Sequence, residues 1–136
     1  MGPGTYTVLV KLDTVRPITF GAAGERSLDA GYYAYTGSAF GPGGLSRVDR
    51  HRRVAAGEND TRHWHVDYLL GAAETNWEGV WITPEADREC EIARSLSGEA
   101  IAGIGATDCS CVSHLTYSAD RESLVDSVAT CHEDRA

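Results

Sequence analysis

The sequence predicts a small domain of the mixed α/β (α+β) class, in which helices flank a central, mostly antiparallel sheet of three strands. Three observations predict it: segments rich in β-forming residues at 4–12, 31–36 and 77–82, segments with helical spacing between and after them, and turns rich in glycine and proline that separate the two kinds. A chain of 136 residues is long enough for one domain with its own core. We therefore expect a single domain over 1–136.

The first two strands are predicted from their residue types. GTYTVLVKL at 4–12 is rich in Thr, Tyr, Val and Leu, and GYYAYT at 31–36 is rich in tyrosine and is followed by a turn-forming glycine. The connection between them has room for a short strand at 18–20. We expect the two strands to pair antiparallel, which can bring Tyr6 and Tyr35 close together.

The remaining elements follow from periodicity and from start and stop signals. The sequence Thr-Pro-Glu at 83–85 is typical of a helix start, with proline near the first turn. The predicted helices lie at 45–55, 63–70, 85–96 and 120–128, and further short strands are predicted at 99–104 and 114–117.

The charge composition is unusual in two ways. There are twenty acidic residues against twelve basic ones, for a net charge of −8, and Lys11 is the only lysine among the bases. This pattern resembles proteins of organisms that keep molar salt in the cytoplasm, where a Debye length of about 3 Å weakens self-repulsion. An acidic protein with a basic partner is the alternative interpretation.

The negative charge is unevenly distributed along the chain. The segment 47–53 holds four arginines and one acid, Asp49, whereas 85–136 holds eleven acids and four arginines. A local positive site is therefore present although the net charge of the chain is negative. The net charge does not exclude a nucleic-acid partner.

The sequence gives expectations for compartment and redox state. No apolar run approaches the roughly 18 residues that a membrane span needs, and the first residues lack the pattern of a signal peptide. We therefore expect a soluble, cytoplasmic protein with no membrane partner. The four cysteines, at 90, 109, 111 and 131, are then not expected to form disulfides.

A glycine-rich turn and an arginine-rich helix follow the tyrosine strand. Arg47 and His51 are four residues apart and share one face of the predicted helix. Beside Tyr35, a guanidinium and an imidazole on one helical turn could hold a phosphate and move a proton. A solvated basic face on an amphipathic helix is the alternative.

In this order, the motifs resemble the GIY-YIG nuclease superfamily, and more specifically its Uri-type endonuclease-like members. The phrases that carry the resemblance are GTY, then GYYAYTGSAFGPGGL, then HWHVDYLL, EC and DCSCVSHL, and together they span roughly 4–117. The resemblance implies a GIY-YIG-like domain with a core at about 4–97 and a C-terminal extension at about 98–136. It also implies a divalent-metal-dependent endonuclease that hydrolyses DNA phosphodiester bonds, in repair or in processing of structured or single-stranded DNA.

The resemblance implies a role for each matching residue. Tyr6 would be the general base for the attacking water, and Tyr35 or His51 would orient it or shuttle the proton. Arg47 would bind the non-bridging phosphate oxygens. Glu89 would hold one Mg²⁺ or Mn²⁺, a hard cation that prefers carboxylate and water.

The match leaves some assignments open. Glu89 is preferred to Glu91 as the metal ligand because an apolar pair follows Glu89 at the expected offsets. Thr5 replaces the isoleucine of the first motif, and the loop before Arg47 is longer than in many members, so the register of this arginine is less certain than its identity. Contacts with the DNA are assigned to Arg50, Arg52, Arg53, Gly37 and Ser38.

Histidines outside the main set are secondary site candidates. His63 and His65 could each line the active site, and with Asp67 they could form a metal site, although on a helix His65 would point away from the other two. His114 lies where the family often has a late polar residue near the metal.

The cysteines suggest one further site. Cys90, Cys109, Cys111 and His114 could bind a structural Zn²⁺, because three thiolates and an imidazole suit its tetrahedral coordination. The Cys-x-Cys spacing is tighter than in the usual zinc knuckle. A disulfide and buried thiols are the alternatives.

Two function classes compete with the nuclease. The first is a nucleic-acid-binding module with the same fold and no turnover, which would rely on stacking by Tyr32, Tyr33 or Phe40 because molar salt weakens phosphate contacts. The second is a zinc-stabilised interaction domain.

Overall fold

The computed structural model describes residues 2–20, 24–40, 43–58, 65–72, 75–101 and 114–133. Over these residues the chain forms seven strands and four helices. In chain order they are β1 (Gly4–Leu12), β2 (Arg16–Thr19), β3 (Glu25–Leu28), β4 (Gly31–Ala39), α1 (Ser46–Ala55), α2 (His65–Leu70), β5 (Thr75–Pro84), α3 (Glu89–Ser95), β6 (Glu99–Ala100), β7 (Leu115–Ser118) and α4 (Arg121–Glu133).

The main sheet has five antiparallel strands in the order β5-β1-β4-β7-β6. The strands β2 and β3 form a separate two-stranded sheet between β1 and β4 in the chain. The predicted α+β fold, with an antiparallel sheet flanked by helices, is confirmed. The predicted number of three strands is wrong, because β7 pairs with the free edge of β4 and β6 pairs with β7.

The two faces of the main sheet carry different helices. Side chains alternate along a strand, so Tyr6, Val8 and Val10 of β1 point to one face, here named the front face, and Thr7 and Leu9 point to the other, the rear face. The front face packs against α1 and α2, and the rear face packs against α3 and α4. The buried front core includes Tyr33, Tyr35, Leu45, Val54, Leu69 and Leu70, and the rear core includes Ala34, Ile92, Leu96, Leu124 and Val128.

The third predicted helix starts later than the sequence indicates. The helix signal at 83–85 is overridden, because β5 continues through Pro84, which pairs with Gly4 of β1. Proline is tolerated there because β5 is an edge strand. Glu85 then turns the chain with a φ of 60°, and α3 begins only at Glu89.

Other boundaries differ from the predicted ones by smaller amounts. The strand β4 runs on to Ala39 because its pairing with β1 continues to that residue. The last helix, α4, extends five residues beyond its predicted end at 128 and thereby includes His132. The short strand predicted at 18–20 is present as β2, with bounds shifted to Arg16–Thr19, and it pairs with β3 in a hairpin. None of the described helices has the length and apolar content needed to span a membrane.

Candidate active site

Three aromatic side chains of the predicted set lie together on the front face. The hydroxyl of Tyr6 lies 2.7 Å from Nε2 of His51. The ring centroids are 5.4 Å apart for Tyr6 and His51, 6.5 Å for Tyr6 and Tyr35, and 6.3 Å for Tyr35 and His51. The predicted proximity of Tyr6 and Tyr35 is therefore confirmed, and His51 completes a compact cluster with them.

Gly37 makes room for the ring of Tyr6. The two residues are directly opposite in the pairing of β1 with β4. A Cβ atom added at Gly37 would lie 2.5 Å from both Cζ and the hydroxyl oxygen of Tyr6. The ring of Tyr6 thus crosses β4 at Gly37, where no side chain blocks it, and this glycine has a packing role in addition to any contact with DNA.

The helix α1 brings His51 and Arg47 to the same region. Leu45 and Val54, at the two ends of the helix, are buried in the front core and fix its position on the sheet. One turn before His51, Arg47 donates from Nη1 to the main-chain oxygen of Ser38 at 2.6 Å. This bond ties the first turn of α1 to the end of β4 and places the arginine and histidine on one side of the helix.

The aromatic cluster is enclosed. Tyr6, Tyr35 and His51 are 1%, 6% and 0% exposed, whereas Arg47 is half-buried. The hydrogen bond between Tyr6 and His51 is therefore shielded from water, which strengthens it. An arginine at the border of such a cluster is the part of the site that a solvent-borne anion would meet first.

The other arginines of α1 form a charged border. Arg52 and Arg53 are exposed, and both bind the carboxylate of Asp49, at 2.6 Å and 2.7 Å. The hydrogen bond from Arg52, with Arg53 nearby, lowers the pKa of Asp49 below its usual value. Such exposed pairs contribute little stability. Arg50 is half-buried on the same helix.

Glu89 lies on the rear face, away from the aromatic cluster. Its Oε2 is 3.4 Å from Nδ1 of His114, and the main-chain oxygen of His114 accepts a hydrogen bond from Thr36. The preceding residue, Arg88, donates from its main-chain nitrogen to the rear-face hydroxyl of Thr5. The described contact of Glu89 is therefore with His114 on the rear face, whereas Tyr6 belongs to the front core.

The contact between Glu89 and His114 is not an ion pair near neutral pH. A carboxylate at this distance would favour the imidazolium, but burial lowers the pKa of His114, and burial is the stronger effect because the residue is only 2% exposed. Glu91, the competing candidate for the metal ligand, is bound instead by the guanidinium of Arg88 at 2.6 Å.

The described residues contain no group of three or more side chains that could jointly hold a metal ion. Cys109 and Cys111 of the suggested zinc site lie outside the described residues, and so does His63. The side chains of Cys90 and His65 are not described either. For His65, the structure describes only the main chain, which begins α2.

Comparison with known protein families gives a match that covers nearly the whole chain. A family described as a domain of unknown function, DUF123, matches residues 5–136. The chain belongs to the DUF123 family. No curated protein and no solved structure matches it.

In this DUF123 chain, sequence reasoning missed a second polar cluster behind the aromatic one. Thr7, Thr36 and Thr83 are buried on the rear face together with His132 of α4. We name these four residues the rear hydroxyl network. A signal for it exists in β1, where threonine alternates with apolar front-face residues, but nothing in the sequence pairs Thr7 with a histidine 125 positions away.

Proposed function

We propose that the chain is a GIY-YIG-type endonuclease that hydrolyses DNA phosphodiester bonds, in repair or in processing of structured or single-stranded DNA. One observation carries the proposal: the hydroxyl of Tyr6 and Nε2 of His51 are 2.7 Å apart, with Tyr35 beside them and Arg47 one helical turn away. The resemblance of the sequence to that superfamily supports the same assignment. The cytoplasmic location expected from the sequence is part of the proposal.

The paired phenol and imidazole can move a proton away from an attacking water. The oxygen of Tyr6 accepts a proton from water as its own proton passes to Nε2 of His51. The hydroxide attacks phosphorus, and the bond to the leaving 3′ oxygen breaks. The proton on His51 returns to the leaving oxygen through solvent, so the reaction ends with both residues in their starting forms.

Arg47 supplies the charge that the phosphate requires. A guanidinium presents two parallel donors to non-bridging oxygens, and it keeps its charge at any physiological pH. The exposed arginines Arg52 and Arg53 continue the positive border along α1, with Asp49 between them. They fit contacts with the flanking phosphates of the strand rather than with the reacting one.

The resemblance assigns Mg²⁺ or Mn²⁺ to Glu89, and the described residues fit this assignment poorly. A single carboxylate is an acceptable ligand for such an ion, which keeps several of its waters. Glu89, however, lies on the rear face beside His114, and an ion bound there would be separated from Tyr6 by the sheet. We therefore base no step on the ion, and the metal requirement is a separate proposal with its own test.

A cleavage assay on labelled DNA tests the proposal. Single-stranded, duplex and branched substrates are incubated at high salt with Mg²⁺, with Mn²⁺, or with a chelator. We expect cleavage of at least one substrate. No cleavage of any substrate under any of these conditions would contradict the nuclease assignment.

Burial of the aromatic cluster favours a second candidate function, a DNA-binding module without turnover. Tyr6 and His51 are 1% and 0% exposed, so a phosphate reaches them only after the surrounding segments move. Phe40, which is 47% exposed at the end of β4, could stack on an unpaired base. Binding of single-stranded DNA that persists in chelator, without cleavage, would favour this candidate.

A further inference from the structure

The rear hydroxyl network joins four structural elements, β1, β4, β5 and α4, by short side-chain bonds. Nε2 of His132 lies 2.8 Å from Oγ1 of Thr7, which lies 2.9 Å from Oγ1 of Thr36. Nδ1 of the same imidazole lies 2.8 Å from Oγ1 of Thr83. A single histidine of α4 is thus bonded to β1 and β5 directly and to β4 through one hydroxyl.

The donors in this network can be assigned from its connectivity. The hydroxyl of Thr83 donates to the main-chain oxygen of His132 at 3.3 Å, so it accepts from Nδ1–H of the same residue. Nε2 is then the acceptor, Thr7 donates to it, and Thr36 donates to Thr7. The neutral imidazole with its proton on Nδ1 therefore satisfies every bond.

The bond between Thr7 and Thr36 lies at a position where β1 and β4 share no main-chain hydrogen bond. These residues are directly opposite in the pairing of β1 with β4. The main-chain nitrogen of Thr36 donates to His114 on the other side, so the pair occupies a position without main-chain hydrogen bonds between the two strands. The two hydroxyls are therefore the direct polar link between β1 and β4 at this point.

The same two threonines are chain neighbours of the site residues. Thr7 follows Tyr6, and Thr36 lies between Tyr35 and Gly37. Because side chains alternate, a bond on the rear face fixes the backbone from which the aromatic rings project on the front face. The ring of Tyr6 has little room to move there, because it packs directly against Gly37 of β4.

We propose that His132 is a positioning residue for the front-face site: through Thr7 and Thr36 it fixes the relative position of the two strands that carry Tyr6 and Tyr35. The catalytic part of this role rests on the proposed function. The effect on the pair of Tyr6 and His51 does not, because it is a property of the protein without DNA.

The test removes single hydroxyls without changing side-chain shape. Thr7→Val and Thr36→Val each keep a β-branched side chain in a strand, and Thr7→Ser keeps the hydroxyl. Thr116→Val is the matched control, because Thr116 is 3% exposed and pairs with Ala34 of the rear core but lies outside the network. His132→Gln removes the imidazole itself.

The primary readout is the ¹⁵N resonances of the imidazole of His51 in histidine-labelled protein, assigned by their loss in His51→Gln. We expect Thr7→Val, Thr36→Val and His132→Gln to shift these resonances, and Thr7→Ser and Thr116→Val to leave them in place. Where the protein cleaves DNA, single-turnover cleavage should fall about tenfold in the shifted variants, the scale of a small misplacement of reacting groups.

Two outcomes would overturn the proposal. If the resonances of His51 stay unchanged while amide exchange in α4 accelerates, the network only anchors the helix. If Thr116→Val shifts them equally, the effect is a general loosening of the rear core. Absence of cleavage by the unmodified protein would contradict the nuclease assignment alone, because the resonances are read without substrate.

Discussion

The hydroxyl of Tyr6 lies 2.7 Å from Nε2 of His51, although the two residues are 45 positions apart in the chain. The partners come from different elements, a central strand and the first helix, and both are buried. Their meeting therefore depends on how α1 packs on the sheet and on the space that Gly37 leaves beside the phenol ring.

Gly37→Ala is expected to displace the ring of Tyr6. The added Cβ would lie 2.5 Å from two atoms of Tyr6, a distance that neither group can keep. The overpacking should lower the free energy of unfolding by about 1–3 kcal/mol in urea denaturation. Gly79→Ala on β5 is the control: its nearest neighbour would be Trp81 at 3.7 Å, so we expect little loss or a slight gain. Equal losses in both variants would contradict a specific role for Gly37.

Arg47→Lys is expected to weaken the site without removing its charge. A lysine cannot donate two parallel bonds to a phosphate, and it would have to replace the 2.6 Å bond that Arg47 makes to Ser38. Single-turnover cleavage should fall by about tenfold or more at saturating DNA. Arg53→Lys, at an exposed position paired with Asp49, keeps the charge of an outer phosphate contact and should leave both cleavage and the salt dependence of binding nearly unchanged. Similar losses for the two variants would place Arg47 among the outer contacts.

The variant Glu89→Gln tests whether a metal ion that cleavage requires binds at Glu89. Because Glu89 contacts His114 on the rear face, we expect the dependence of cleavage on Mg²⁺ concentration to change by less than about twofold in this variant. Titration of cleavage with Mg²⁺, for both proteins at one salt concentration, measures this. A large rise in the Mg²⁺ concentration needed would show that the ion binds at Glu89 after all.

Acid is expected to destabilise the protein through His132. Burial, with Arg88 nearby, lowers the pKa of His132 to about 4, from an unfolded value of 6.5. The unfolded chain binds the extra proton first, so stability is full above pH 6.5 and is lost as the pH falls towards 4. The loss attributable to this residue is about 3 kcal/mol.

Urea unfolding across this pH range, in the natural protein and in His132→Gln, measures that contribution. Other groups also respond to acid, including Asp49 and His114, so the difference between the two proteins is the relevant quantity. The variant should show a shallower decline than the natural protein. Parallel pH profiles would mean that the imidazole of His132 is not kept neutral by its surroundings.

Much of the front face could be predicted from the sequence because local signals and tertiary structure agree there. The tyrosine-rich strand, the glycine after it and the helix with Arg47 and His51 each follow local rules, and β1 and β4 pair as those rules predict. The nuclease assignment itself stays a prediction.

The rear face could not be predicted because it depends on distant pairings. The sequence signal for a helix start at 83–85 is overridden because Pro84 pairs with Gly4 in the sheet. The helix α3 therefore begins only at Glu89. The position of Glu89 on the rear face follows from that packing and not from its spacing in the chain. The bond between Thr7 and His132 joins opposite ends of the sequence, where no local pattern reports contact.

The central claim is that the hydroxyl of Tyr6 takes part in DNA cleavage. The variant Tyr6→Phe tests this claim most directly. Tyr33→Phe is a close control, since Tyr33 is equally buried and its hydroxyl donates to the main chain of Asp29 at 2.7 Å. Each variant loses a hydrogen bond of its phenol, buried for Tyr6 and partly buried for Tyr33, which should cost about 1–3 kcal/mol of stability. In single-turnover cleavage of labelled DNA, we expect Tyr6→Phe to lose at least about a hundredfold and Tyr33→Phe to retain activity. Full activity in folded Tyr6→Phe would contradict the account.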